Sequence, residues 1–381
     1  MLTDKNRELV LVLQKNPLAN YNQLADLLGS TPPTIKRRMD SLQMGTNPVI
    51  ISVLGSIDHL RIGLELDSFL IDLKPGIEPR KFQQLFDLFD YHPYTSFQNR
   101  CFGAINGSLV QIYRPSNSKI EYTDLFDRIS DEFHIQRLIH LPQMDYGVDS
   151  YPELHYWKGG KWDFDFYKWF EHGTDEKVNL VHRKDVPNFQ RELELPHVIM
   201  LRELSSDSRR KQVEFMDQIQ HSDQYSDEEK ALFAREKQRE VSRYQDFIAQ
   251  KELIRDYYLL YNRQTFGIFN QVALIGRMNH NDLNRLLAMV HSSDNPLPFR
   301  SKLGVKDDQF FWWINLPPHH SMEVMNFAFE LADTLDTMML DTSINYSRTY
   351  PLWHRNFKDT EKTWIKDEDW IIKRPLDNIG I

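Results

Sequence analysis

The side chains best suited to chemistry lie close together near the start of the chain: Thr31, Thr34, Lys36, Arg37, Arg38 and Ser41. Ammonium and guanidinium groups neutralise phosphates, and guanidinium forks and hydroxyls hydrogen-bond phosphate oxygens and base edges. Turning about 100° per residue from Ile35, a helix here puts Thr34, Arg37 and Ser41 outward, with Lys36 and Arg38 on the flanks. Ile35, Met39 and Leu42 fall at i, i+4, i+7 and give the same helix an apolar back. Such a helix can enter a major groove. Arg37 and Thr34 would meet bases or phosphates there, and Lys36 and Arg38 the backbone.

The elements that must position this face are legible around it. Leu24, Ala25, Leu27 and Leu28 form the apolar face of a preceding helix, which Gly29 can end in a left-handed conformation. Ser30 or Thr31 can cap the next helix, and Pro32 suits its first turn. Asp4 to Gln14 forms an earlier helix, with Leu9, Val10 and Leu13 inward. After a turn at Gly45 to Pro48, VIISVLGSID is rich in β-branched residues and reads as a strand pair or wing. The expected domain over 1–64 is a winged helix-turn-helix.

From Phe69 the pattern changes. FLIDLKP is a strand, Pro79 to Tyr91 a helix, and CFGAI and LVQIYRP are strands around Asn106-Gly107. Tyr122 to Phe133 is a second helix and IQRLIHLP a last strand. The order βαββαβ is the ferredoxin-like plan, expected over 65–143. Residues 144–183 form a tail carrying Trp157, Trp162 and Trp169, whose rings are expected to cover the open sheet face.

The second half retraces the first. Ile50 to Gly63 and Ile254 to Gly267 have the same spacing, and Tyr113-Arg114-Pro115 lines up with Asn315-Leu316-Pro317. A tandem duplication follows: a degenerate winged helix over 184–266, a second ferredoxin-like domain over 267–346, and a second tail over 347–381 with Trp353, Trp364 and Trp370. Residues 205–260 hold ten Lys/Arg and twelve Asp/Glu, so the second copy has no basic face; its third helix is expected inside a long, mixed-charge helical stretch.

Composition sets outer bounds. The 381 residues carry a net charge of −9, which argues against a surface that coats nucleic acid everywhere, while residues 1–46 have six Lys/Arg against four Asp/Glu. No apolar run is long enough for a transmembrane helix, the first residues lack a signal-peptide core, and the single Cys101 excludes an internal disulfide. A cytoplasmic α+β protein with no membrane partner is expected. Cys101 reads as a buried small hydrophobe. His134 and His140, and the adjacent His319 and His320, read as surface residues. No metal, no cofactor and no catalytic motif is expected.

The residues LTDKNRELVLVLQKNPLANYNQLADLLGSTPPTIKRRMDSL, then VIISVLGSID, Gly63 and the βαββαβ block, resemble the Lrp/AsnC family of prokaryotic, especially archaeal, transcription regulators. The resemblance implies a sequence-specific DNA-binding regulator and not an enzyme. Double-stranded DNA and a second copy of the chain would be its partners. Its ferredoxin-like domains would mediate oligomerisation and sense a small-molecule effector at an unknown site. An alternative of another class is a siroheme decarboxylase, which resembles the same two-part unit used as an enzyme. It would need His and Arg near the middle strands to hold tetrapyrrole carboxylates, and His92, Arg100, Arg114, Arg300 and Lys302 lie there. The His-Tyr-Leu-Arg and Tyr-Asn-Leu-Trp-Phe segments of that family are absent. A third reading is a protein–protein adaptor that has lost DNA binding.

Overall fold

The computed structural model describes residues 3–44, 48–116, 118, 122–151, 153–173, 181–292, 295–343 and 345–381. Most of the turn expected at Gly45 to Pro48 falls outside them. In chain order the chain forms α1 (Asp4–Lys15), α2 (Tyr21–Leu27), α3 (Pro32–Gln43), β1 (Ile50–Ile57), β2 (Leu64–Leu73), α4 (Pro79–Tyr91), β3 (Thr95–Gly103), β4 (Gly107–Pro115), α5 (Thr123–Ile129), β5 (Ile135–Leu141) and β6 (Tyr146–Ser150). A two-residue hairpin, β7 (Trp157–Lys158) and β8 (Lys161–Trp162), and α6 (Phe166–Glu171) complete the first half. The second half contains α7 (Leu195–Leu204), α8 (Gln212–His221), α9 (Asp227–Ala231), α10 (Gln238–Gln250), β9 (Ile254–Tyr261), β10 (Asn270–Met278), α11 (His280–His291), β11 (Ser301–Lys306), β12 (Gln309–Leu316), α12 (Pro318–Leu331), β13 (Ala332–Leu340), β14 (Ser347–Thr349), the hairpin β15 (Phe357–Lys358) and β16 (Thr363–Trp364), and α13 (Arg374–Ile379). These elements divide into two compact units: Met1–Gly63 with Asn188–Thr265 and Pro351–Trp364, and Leu64–Pro187 with Phe266–Tyr350 and Ile365–Ile381.

The first unit holds the helical hairpins. Thr3 caps α1, and Asn20 and Gln23 cap α2 reciprocally. Gly29 takes a φ of +56° at the end of α2, and the Ser30 N–H closes back on the Ala25 carbonyl. Ile35, Met39 and Leu42 are buried, as their spacing requires. The wing differs from expectation. Ile50–Ile57 is a single strand, and its antiparallel partner is β9, from Ile50 against Tyr261 to Ile57 against Ile254. The two wings therefore pair with each other and satisfy each other's backbone groups.

The long charged stretch before β9 is also not one helix. It breaks between α9 and α10, where Phe233 is fully buried and packs edge-on against Phe215 at 5.5 Å. Burial of that ring outweighs helix continuity. Val241 and Ile248 are the buried residues of α10, matching the roles of Ile35 and Leu42 in α3.

The second unit is organised by one sheet, in the order β5-β2-β4-β3-β13-β10-β12-β11-β6, with β14 beside β3. The two βαββαβ blocks have the same internal order, β5-β2-β4-β3 and β13-β10-β12-β11. They join where β3 meets β13, Cys101 against Leu340 and Gly103 against Met338. A Cβ on Gly103 would lie 2.5 Å from the Thr337 carbonyl oxygen, and its φ is +127°, so this junction needs glycine.

The sheet cannot be flat. Its two edge strands, β5 and β6, are separated by only Pro142 to Asp145. A linker of that length spans about 18 Å at most, whereas the eight strand steps between those edges cover about 38 Å when flat. The sheet curls, and one face turns inward. Leu70, Leu109, Cys101, Met338, Ala273, Phe311 and Leu141 form a continuous core on that face. The other face of the first block carries helices, with Phe69 of β2 at 4.6 Å from Phe126 of α5.

The tryptophan tails do not simply cover an open sheet face. Trp162 donates its indole N–H to the Phe266 carbonyl at 2.7 Å, and Phe166 and Trp169 pack with Phe327 of α12. In the first unit, Trp364 donates to the Ile62 carbonyl at 2.6 Å and is fully buried. Each of these two tryptophans thus satisfies the carbonyl just before a left-handed glycine, Gly267 or Gly63. Trp364→Phe keeps an aromatic side chain but removes the indole N–H, which leaves the Ile62 carbonyl unpaired, and leaves a small cavity where the second ring was. It should lower the stability of the first unit by about 1–3 kcal/mol in urea unfolding; an unchanged midpoint would show that the hydrogen bond contributes nothing.

Candidate functional site

The site is assembled on the helix-bearing face of the first ferredoxin-like block. Alternation along β2 puts Glu65, Asp67 and Phe69 on one face. In the ladder, Glu65 is opposite Arg114 of β4, Phe69 is opposite His140 of β5, and Ile112 lies between Asp67 and Thr95 of β3. Pairing across three loops therefore gathers residues that are far apart in sequence.

Asp67 is the centre of this group. It is 2% exposed and accepts a hydrogen bond from the Arg114 Nε at 3.0 Å and from the Gln143 backbone N–H at 3.1 Å. Arg114 also donates to Glu65. Burial works against the Arg114 charge, but Asp67 and Glu65 outweigh it and hold its pKa above the usual value. His140 stacks on Phe69 with ring centroids 4.6 Å apart and planes within 8°. Its Nε2 is 3.5 Å from Asp67 Oδ2 but makes no aligned hydrogen bond. That nitrogen is buried and has no hydrogen-bond partner among the described residues.

Two further donors face this region. His92, at the end of α4, accepts the Tyr94 backbone N–H on Nδ1 at 3.3 Å. The neutral ring therefore carries its proton on Nε2, which is buried and has no partner among the described residues. The Thr95 hydroxyl is likewise buried and unpartnered there. His92 meets Tyr122 edge-on at 5.5 Å, and Tyr122 is close enough to Asp67 and Arg114 to feel both charges. Burial first, and then Asp67, raise the Tyr122 pKa well above its usual value, so it remains a neutral phenol and donates to the Tyr113 carbonyl. Buried donors without acceptors are uncommon and point to a polar ligand or water. The combination supplies an acid–base imidazole, a fixed cation and neutral donors in a poorly hydrated place.

The second block lacks this chemistry. With Leu316 at the position of Arg114, its ladder partner Asn270 stands for Glu65, Val272 for Asp67, and Thr337, opposite Leu274, for His140. The charged centre is therefore confined to the first block.

Thr31, Lys36, Arg37 and Ser41 are exposed on α3, and Thr34 and Arg38 are half-buried. Thr31 occupies the N-cap position but makes no side-chain cap; its hydroxyl meets that of Thr34 at 2.9 Å. His92 and Arg114 are brought together through Tyr122. Arg100 lies elsewhere on β3, and Arg300 and Lys302 belong to the second block. Cys101 is buried, and burial pushes its thiol up to about 12. Sequence reasoning placed His140 on the surface and named neither Asp67 nor Thr95. The alternation in LELDSFLIDL could have flagged Asp67 as an inward carboxylate. His320 was also read as a surface residue. It is 3% exposed, because the first turn of α12 turns it into Phe164, Phe166 and Phe299, and its Nδ1 meets Glu323 at 2.5 Å. His134 lies in a turn at φ +52°, outside the strand that carries His140. Among the described residues no group of three or more His, Cys, Asp or Glu could hold a metal ion, and no helix is long and apolar enough to cross a membrane.

The family model described as winged helix-turn-helix DNA-binding matches residues 2–44. No curated protein matches the chain. Among solved structures, the siroheme decarboxylase NirDL aligns over 99% of this chain and 100% of its own, with a TM-score of 0.53 and 9% identity. The same enzyme in complex with an iron-uroporphyrin III analogue aligns over 99% and 100%, with a TM-score of 0.54 and 8% identity. An AsnC family transcriptional regulator from Agrobacterium tumefaciens covers 37% of this chain and 90% of its own, at a TM-score of 0.28 and 14% identity. The expectations of a DNA-binding regulator and of a non-enzyme are thereby corrected, because the fold carried over the whole length is that of an enzyme.

Burial lowers the His92 pKa from 6.5 to about 3. Between those values the unfolded chain binds a proton there and the folded chain does not, so the site costs stability as pH falls through that window. His92→Asn removes this cost. Its urea midpoint should drop less than that of the unaltered protein between about pH 7 and about pH 4.5; equal drops would mean that His92 is not held neutral.

Proposed function

We propose that this chain is a decarboxylase acting on a carboxylate side chain of a siroheme-type tetrapyrrole, and that it arose by fusion of two copies of one winged-helix and ferredoxin-like unit. The observation that carries this reading is the end-to-end correspondence with the fold of NirDL, covering both units and both blocks. The repeated strand order supports the fusion. The segments His-Tyr-Leu-Arg and Tyr-Asn-Leu-Trp-Phe are missing, so the roles below rest on this chain's own geometry.

Loss of CO2 breaks the bond between the carboxyl carbon and its neighbour and leaves an electron pair on that neighbour. The conjugated macrocycle can accept the charge, and a general acid must then protonate the carbon. His140 is placed for that step: its Nε2 lies 3.5 Å from Asp67 Oδ2 and its ring is braced by Phe69. Arg114 holds the Asp67 carboxylate in place. The Nε2–H of His92 and the Thr95 hydroxyl can hydrogen-bond the substrate without adding charge. No redox change is involved, so no electron carrier is needed.

Purified protein mixed with siroheme should shift the absorbance spectrum of the tetrapyrrole and release CO2, with the corresponding mass loss in the product. His140→Ala should slow CO2 release by about 10²–10⁴-fold while leaving the spectral binding signal. Absence of both the spectral shift and CO2 release from the unaltered protein would rule out the assignment.

A further inference from the structure

The two tails are laid out in the same register. Trp162 and Trp364 each give an indole N–H to the carbonyl before a left-handed glycine. Three residues on, Asp165 and Asp367 each open a helical turn, with their carbonyls accepting the N–H groups of Trp169 and Ile371. Counting from the two tryptophans, Phe164 and Phe166 of the first tail stand where the second tail has Lys366 and Glu368. The first tail lies on the second block. Phe164 and Phe166 meet His320 at 6.4 and 6.2 Å, Phe166 is fully buried against Phe299 and Phe327, and the Trp169 indole donates to the Asn295 carbonyl at 3.0 Å. Packed rings close that face.

The second tail lies on the first block, with polar residues at the same places. Lys366, Asp367, Glu368 and Asp369 are exposed. Ahead of Ile371 and Ile372, which are buried, segment 365–370 is fastened by the Tyr94 hydroxyl, which donates to the Ile365 carbonyl at 2.6 Å. An ion pair of Arg128 with Glu368, solvent-exposed on both sides, fastens it again. Burial, then Tyr122 and Asp367, raise the Tyr94 pKa well above its usual value, so it stays a phenol and a donor. Tyr94 stands between His92 and Thr95 in the chain, and Tyr122 meets His92 edge-on. His92 and Thr95 are 3% and 6% exposed and carry buried polar atoms with no partner among the described residues. A ligand reaches those atoms only when something moves aside. A hydrogen bond and an exposed ion pair hold a segment more weakly than buried rings do.

We propose that residues 365–370 form a strap that opens to give access to His92 and Thr95, while the first tail stays shut over the second block. The full-length protein is treated with diethylpyrocarbonate, and carbethoxylation of His92 and His320 is followed by peptide mass spectrometry. Tyr94→Phe, which removes one strap hydrogen bond, should speed His92 modification by about threefold or more. Glu368→Gln should add a smaller increase, both alone and on top of Tyr94→Phe, because an exposed ion pair contributes less. His320, buried beneath the first tail, should stay equally slow in every variant. An unchanged His92 rate in the double variant overturns the strap. A rise in Tyr94→Phe to which Glu368→Gln adds nothing traces the change to Tyr94 alone and also overturns it, and His92 and His320 speeding up together shows general loosening instead. A second measurement rests on the decarboxylase reading: the association rate of siroheme, read by stopped-flow absorbance, should rise in step with the His92 rate. Equal association rates in all variants overturn the gating role. No siroheme binding by the unaltered protein overturns the decarboxylase reading, and the His92 rates then decide on the strap by themselves.

Discussion

The junction of β3 with β13 is the constraint on which the second unit depends. A ferredoxin-like block alone leaves an exposed strand edge, and such edges invite pairing with other chains. Here the edge of one block meets the edge of the other over Cys101, Phe102 and Gly103. The approach is so close that a side chain at Gly103 would collide with the backbone at Thr337. Once the blocks are joined, the short link from β5 to β6 brings the far edges together, and the sheet must curl. The continuous inner core from Leu70 to Leu340 is the consequence.

Curling divides the labour of the two faces. The inner face is largely apolar and holds the blocks together. On the outer face of the first block, the strands and the end of α4 carry Asp67, Arg114, His140 and His92. A carboxylate as buried as Asp67 is costly to keep charged unless it is paired and hydrogen-bonded, and Arg114 and the Gln143 amide do both. The same pair gives His140 a fixed negative neighbour. Among the described residues the His92 Nε2 and the Thr95 hydroxyl remain buried without a partner, a feature expected of a site that completes its hydrogen bonds with something other than itself.

The two halves share one topology but not one chemistry. Val272, Leu316 and Thr337 replace the ionic centre with residues that pack, and α10 carries none of the basic front of α3. In the first unit the equivalent strands of the two halves, β1 and β9, pair with each other.

Local chemistry made much of the fold readable. The 3.6-residue spacing of Leu9, Val10, Leu13, Ile35, Met39 and Leu42 fixed the helices and their buried sides, and Gly29 fixed a helix end. The βαββαβ order was legible in both halves because each element carries its own periodicity and turn residues. The partner of a strand is not local information. Nothing in VIISVLGSID says that its mate is Ile254–Tyr261, nor that Trp364 satisfies the Ile62 carbonyl. The basic front of α3 is conspicuous in sequence because its charges are adjacent. The Asp67 centre is not, because Glu65, His92, Arg114, Tyr122 and His140 are spread over more than seventy residues and meet only through tertiary contacts. By itself the sequence determined which segments are helices and strands and which sides of them are apolar. Only the tertiary structure decided which edges pair, how the sheet closes and which charges come together, because those depend on contacts between residues remote in the chain.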